Sequence, residues 1–196
     1  HWPVLDACCN GHAAVASLLL SHGASLESSG TVGGKQMHLL HLMAVQGRPE
    51  CVPVVMRHAD GGAALCDIRD YKKRTPLHHA ARRGHAAASK ALLRAGATVD
   101  AVDVNAETPL HYAAYFGHAP SVRLILDRIP RERLREVIDK ANRQQRTALL
   151  DAVRKGHEQV AVHLLLAGAD ATRVDAAQTS ALHHAASRGF LAVLQG

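Results

Sequence analysis

The sequence predicts an all-α solenoid of stacked helix-turn-helix units. Three observations predict it. A phrase recurs at near-fixed spacing: Thr75-Pro76-Leu77-His78-His79-Ala80-Ala81-Arg82-Arg83-Gly84-His85 returns 33 residues later as Thr108-Pro109-Leu110-His111-Tyr112-Ala113-Ala114-Tyr115-Phe116-Gly117-His118. Self-similarity at such a period marks a repeat array. Hydrophobic residues make up 47% of the chain but aromatics only 3%, so the core must be Ala, Leu and Val, which suits closely stacked helices. Finally, no apolar run reaches the roughly 18 residues that a membrane span requires.

Taken in order, the copies start with Trp2-Pro3-Val4-Leu5-Asp6-Ala7-Cys8-Cys9-Asn10-Gly11 and His38-Leu39-Leu40-His41-Leu42-Met43-Ala44-Val45-Gln46-Gly47. The two full phrases follow. Thr147-Ala148-Leu149-Leu150-Asp151-Ala152-Val153-Arg154-Lys155-Gly156-His157 is a fifth copy, and Ser180-Ala181-Leu182-His183-His184-Ala185-Ala186-Ser187-Arg188-Gly189 a sixth. The repeats therefore run at about 2–37, 38–74, 75–107, 108–146, 147–179 and, in part, 180–196. They form one array over residues 1–196. Residue 1 is His rather than an initiator Met, and the chain stops soon after the sixth copy's Gly189. It reads as a segment of a longer protein.

Each unit justifies a helical hairpin. Thr followed by Pro starts a helix, since the hydroxyl can cap free N–H groups and Pro loses nothing at the first helical position. Leu and two Ala follow at helical spacing and a Gly stops the helix. A second apolar segment such as Ala87, Ala91, Leu92 and Leu93 ends at Gly96. The next stretch, Thr98 to Glu107, is polar, as a turn or short hairpin should be. Leu77, Leu110, Leu149 and Leu182 are expected to lie buried between units.

These residues resemble the ankyrin repeat, whose phrase is close to T-P-L-H-x-A-A-x-x-G-H with a later L-L-x-x-G-A. The resemblance covers nearly the whole chain. It is strictest in the third and fourth copies and weakest in the first two, where Trp2 and His38 replace the capping Thr. It implies a stack of helix pairs with fingers at one edge, and a concave groove lined by residues between the conserved His and the Gly. It also implies that His41, His78, His111 and His183, at the fourth position, tie neighbouring turns by hydrogen bonds.

Three spacers exceed 33 residues. Ser28-Ser29-Gly30-Thr31-Val32-Gly33-Gly34-Lys35 fails the phosphate-loop pattern, which needs Gly where Ser29 stands and Ser or Thr where Gln36 stands; it reads as a lengthened finger. Asp60-Gly61-Gly62-Ala63 is expected to extend a helix end by about one turn. Pro130 opens a helical pattern with Leu134, Val137 and Ile138 on its apolar side, and its Arg-Glu mixture reads as a solvated face.

Chemistry is weakly represented. The chain holds 15 His, but most occupy repeat positions. His78-His79 and His183-His184 are three repeats apart, roughly 30 Å at about 10 Å per helix layer, too far to share a metal. No nucleophile has a base and an orienting group. The reading is no enzyme activity in this segment, no metal and no cofactor. Cys8, Cys9, Cys51 and Cys66 read as reduced thiols of an intracellular protein, cytoplasmic or nuclear.

Binding is then expected in the groove. The fifth position gives Asp6, Leu42, His79, Tyr112, Asp151 and His184. The eighth and ninth give Arg82/Arg83, Tyr115/Phe116 and Arg154/Lys155 in the third to fifth copies. Three of the six aromatics thus fall in one repeat, flanked by basic residues. Aromatic and Arg side chains are the usual energetic centres of interfaces. Tyr71, Lys72 and Arg74 add a basic finger tip. The partner-binding set is Tyr112, Tyr115, Phe116, Arg82, Arg83, His79, Arg154, Lys155, Tyr71, Lys72 and Arg74. With a net charge of +6, it suits an acidic, partly apolar peptide or protein domain. A nucleic-acid or anionic small-ligand binder is the lesser reading, because Asp103, Glu107 and Asp151 interrupt the positive strip. Service as the substrate-recognition array of a larger enzyme is a third. The truncated last copy exposes a stacking face, so self-association through the C-terminal repeat is also expected.

Overall fold

The computed structural model describes residues 3–26, 29–32, 35–59 and 62–190. Trp2 and the residues after Phe190, where the sixth copy's second helix would lie, fall outside the described residues. Twelve α-helices and one two-stranded ribbon are present among them. The helices pair as α1 (Pro3–Cys9) with α2 (Ala13–Ser21), α3 (Leu39–Gln46) with α4 (Val52–His58), α5 (Pro76–Arg83) with α6 (Ala86–Arg94), and α7 (Pro109–Tyr115) with α8 (Ala119–Leu126). After a short α9 (Leu134–Ile138) come α10 (Ala148–Lys155), α11 (Glu158–Leu166) and a terminal α12 (Ala181–Arg188). The inner helices α1, α3, α5, α7, α10 and α12 line up side by side, and the outer helices pack behind them.

Helix ends follow the sequence signals. Thr75, Thr108, Thr147 and Ser180 sit at N-caps in extended conformation, and Pro76 and Pro109 follow the first two. Gly84 closes α5 in the left-handed region at φ 73°. It has a second reason to lack a side chain: a Cβ there would lie 2.6 Å from Nδ1 of His118 in the next unit.

The core runs the length of the stack in small aliphatic residues. Leu77, Leu110 and Leu149 are 0%, 1% and 0% exposed, whereas Leu182 is 37% exposed. The expectation for Leu182 is thus corrected. It lies on the terminal helix, and no further unit packs on that helix among the described residues.

Two series of histidines join the units. In the first, His78 Nδ1 accepts the Thr75 amide at 3.0 Å, while Nε2–H donates at 3.0 Å to the Glu107 carbonyl, immediately before the N-cap of the next inner helix. His111 does the same between the Thr108 amide and the Arg146 carbonyl, at 3.2 and 3.0 Å. His41 Nε2–H reaches the Arg74 carbonyl at 3.0 Å. A ring nitrogen facing a carbonyl must donate and one facing an amide must accept, so His78 and His111 are neutral with the proton on Nε2. Leu150 holds the equivalent place in the fifth unit and is buried there.

The second series points backward. His85, His118 and His157 donate from Nε2 to the carbonyls of Val45, Arg82 and Tyr115 in the preceding inner helices, at 3.0, 3.0 and 3.1 Å. Arginines complete it. Arg48 Nε donates to the Cys9 carbonyl at 3.0 Å, and Arg188 Nη2 to the Arg154 carbonyl at 2.6 Å. Each inner helix before the terminal α12 therefore has one C-terminal carbonyl satisfied by its neighbour, which answers part of the shortage of partners at helix ends.

The spacers resolve in three ways. Ser29–Val32 (β1) and Lys35–His38 (β2) form an antiparallel ribbon, so the lengthened finger is a hairpin. Residues 62–67 form a separate 3-10 helix. The expectation of an extended α4 is corrected, since α4 ends at His58; Gly61 and Gly62 are poor helix formers. The 3-10 helix buries Cys66, whose thiol lies 3.7 Å from the Ala95 carbonyl. The third spacer folds as a 3-10 turn, Arg131–Arg133, leading into α9. Val137 and Ile138 are buried, and Arg133 reaches Asp100 at 2.7 Å.

Two outcomes test this architecture. Leu110→Ala is expected to cost about 2–5 kcal/mol in chemical denaturation, as large-to-small core changes do; a cost near zero would contradict the stacking register. The second concerns acid. Burial holds His41 and His111 below the ordinary histidine value and His78 down at about 4. The unfolded chain takes up these protons near pH 6.5, but the folded chain cannot. Stability is therefore full above pH 6.5 and falls towards pH 4, by up to about 1.4 kcal/mol per pH unit for each such histidine. Urea midpoints at pH 7.5 and pH 5 check this; equal midpoints would show that these histidines titrate normally.

Candidate functional site: the concave face

The inner helices α5, α7 and α10 and the fingers before them line one cavity, the fingers forming its lip. Each finger turns by the same device. Asp70 Oδ1 accepts the amides of Lys72 and Arg74 at 2.8 and 2.9 Å. Asp103, Asn142 and Asp175 repeat this bond for bond in their own fingers. The tight turn forces Lys73, Ala106, Gln145 and Gln178 to positive φ, between 58° and 61°. Successive fingers are also tied to one another. Val104 N–H donates to Lys72 O, Arg143 N–H to Asn105 O and Ala176 N–H to Gln144 O, at 3.0, 3.0 and 3.1 Å.

Between lip and helices lies a cavity of about 300 Å³. Tyr112, Tyr115 and Phe116 supply its aromatic wall, Lys72, Arg74, Arg82, Arg146 and Arg154 its cations, and Glu107 its carboxylate. The sequence reading brings most of these together. Its partner-binding set leaves out Arg146 and Glu107, whose shared signal is the place immediately before the capping Thr.

The aromatic wall is held firmly. The Tyr112 hydroxyl donates to Asp103 Oδ2 at 3.0 Å, and its ring meets His78 edge-on with centroids 5.6 Å apart. Burial, with Asp103 beside it, pushes its phenol well above the ordinary range. Tyr115 and Phe116 contact edge to face at 5.0 Å. The Arg82 guanidinium lies over Phe116 at 5.5 Å and Lys155 Nζ over Tyr115 at 4.4 Å. Phe116 remains 39% exposed.

The cations divide into two groups. Arg74 is buried and binds Asp70 Oδ2 through Nε at 2.9 Å and Nη2 at 2.7 Å. His79 is also buried, with Nε2–H donating to the same oxygen at 2.9 Å. These partners hold the Asp70 carboxyl below its usual range, while burial and Arg74 push His79 down to about 3. Arg74 and His79, read from sequence as partner contacts, are thus spent mainly on fixing their own finger. Arg146 and Arg154 lean on the buried Asp151 at 2.8 and 3.5 Å. Lys72, Arg82, Arg83 and Lys155 are exposed and make no ion pair among the described residues. Arg83 does not line the cavity, and Tyr71 stands at the finger tip, 50% exposed, with Arg74 over its ring at 5.4 Å. Burial raises the Glu107 carboxyl, as do Asp103 and Asp151.

Among the described residues no cluster of His, Cys, Asp and Glu is arranged to hold a metal, and no helix is long and apolar enough to cross a membrane. Cys8, Cys51 and Cys66 are buried free thiols. Burial pushes Cys8 up to about 12 and Cys66 to about 11, which makes both poor nucleophiles.

Comparison with known proteins agrees with the geometry. The family described as "Ankyrin repeats (3 copies)" matches residues 40–133 and 96–175. A rice protein (Oryza sativa subsp. japonica) named "Probable E3 ubiquitin-protein ligase XBOS31" is 35% identical over 91 residues. The match covers 46% of this chain and 19% of the rice protein. With the recurring phrase, paired helices, histidine bridges and a family match across most of its length, this chain belongs to the ankyrin repeat family.

Proposed function

We propose that the chain is a protein-interaction module of a larger intracellular protein, built as one array of six repeats with the last truncated. Its concave face docks an acidic, partly apolar peptide or domain. One observation carries this reading: Tyr112, Tyr115 and Phe116 wall a cavity beside the unpaired cations Lys72 and Arg82. Apolar area at the centre supplies affinity, and basic residues at the rim supply orientation and association rate. The partner-binding set is Tyr112, Tyr115, Phe116, Arg82, Arg83, Lys155, Lys72 and Tyr71, with Arg154, Arg74 and His79 behind them. The likeness to a protein named as a ubiquitin ligase is consistent with a substrate-recognition role within a larger enzyme. Nucleic acid fits less well, since Glu107 stands among the cavity's cations.

Capture of partners from a lysate tests the proposal. Phe116→Ala is expected to cost about 2 kcal/mol or more, mainly through faster dissociation. Reversing Arg82 and Lys155 to Glu should slow association and flatten its salt dependence. Partners retained equally by all variants would place the binding centre elsewhere.

The same reading extends to self-association. Leu182 is partly exposed on the terminal helix and Leu166, on α11, is 82% exposed. Light scattering of the isolated array is expected to show association at high concentration, reduced by Leu182→Glu. A strictly monomeric array would refute it.

A further inference from the structure

The outer helices α4, α6 and α8 also carry a depression, which shares no lining residue with the cavity described above. Helix α6 contributes Ala87 and Ala91, with Ala95 at its C-cap, to an alanine stripe at i, i+4 and i+8. Its neighbours stand higher. Pro53 and Met56 of α4 rise on one side, and Pro120 and Leu124 of α8 on the other. The result is a cavity of about 690 Å³ between α4 and α6, and one of about 430 Å³ between α6 and α8. They share Ala87 and Lys90, so they form one trough over α6. From Ala87 to Ala95 it runs roughly 12 Å along the helix at about 1.5 Å per residue, the length of two helical turns.

The rim is cationic. Arg57, Lys90, Arg94 and Arg123 line the trough, all exposed, and no side-chain hydrogen bond or ion pair occupies them among the described residues. Three of them lie in the last turns of their helices and offset the helix dipole there, but Lys90 lies mid-helix. The acidic lining residues are Glu50 and Asp127. The Glu50 carboxylate is turned toward Gly11 and Arg48, which leaves Asp127 against four cations.

We propose that this trough is a second docking site, which receives a short amphipathic helix with acidic flanks from another protein. The apolar floor between parallel helices takes side chains at i, i+3, i+4 and i+7, the usual way a helix lies in a groove. The unpaired cations take the flanking carboxylates. A second copy of this chain is the wrong occupant, because each copy carries a net charge of +6. The chain's own residues Leu191 to Gly196 include no acidic side chain and do not answer the rim either.

A display library of random 16-residue peptides, selected on the whole array, tests this. Selected peptides are expected to combine apolar residues at helical spacing with flanking Asp or Glu. Ala87→Trp fills the trough and should weaken them at least tenfold. Lys90→Glu with Arg94→Glu should weaken them as well, and should favour matched peptides in which Lys replaces the acidic flanks. Unchanged thermal melts show that the variants fold. Phe116→Ala, on the concave face, should leave these peptides bound, which separates this site from the one proposed above. A library with no such peptides, or peptides held equally by the Ala87→Trp and charge-reversed variants, overturns the proposal.

Discussion

The stack depends on neutral imidazoles held between two backbones. One nitrogen of His78 or His111 accepts an amide at the start of its own helix, and the other donates to the carbonyl just before the next inner helix. A single side chain thereby caps a helix and joins two repeats. No other side chain offers an acceptor and a donor on opposite edges of one small rigid ring while staying uncharged near neutral pH. The backward series uses the same ring chemistry at the other end of the inner helix, with Arg48 and Arg188 replacing histidine at the edges. Aliphatic packing supplies the bulk of the burial, and the imidazoles fix the register in which that packing occurs.

Much of the fold is legible in the sequence because the repeat phrase encodes local and neighbour contacts together. Thr-Pro starts, Gly stops and the apolar spacing all lie where the periodicity places them. The two failures have different causes, one beyond the unit and one within it. Leu182 has the right position for burial but no described neighbour to bury it. The segment after His58 has the residues for another turn, yet its paired glycines favour a break and a separate 3-10 helix.

The candidate site is legible in outline and less so in charge. Register projects Tyr112, Tyr115 and Phe116 to the same face, and they do wall one cavity. It cannot tell which cations are already paired. Arg74 is sequestered by Asp70, four residues before it, and Arg146 by Asp151, five after. The first pairing follows from the finger turn, whose Asp70 accepts two backbone amides on one oxygen and frees its other oxygen for a side chain, whereas Asp151 reaches Arg146 from helix α10. The finger-to-finger hydrogen bonds leave no sequence signal, since they join backbone groups.

Leucine takes the place of the bridging histidine twice, at Leu5 in the first unit and Leu150 in the fifth. Neither can reach a carbonyl in the unit that follows. The forward bridges of His41, His78 and His111 therefore bind the second to fifth units into a stiff central block. Among the described residues the outer joints rest on packing, the Arg48 and Arg188 bonds and, at the far end, one bond between fingers. The units so bridged are also those whose side chains line the cavity, so the forward bridges hold its walls at a fixed spacing.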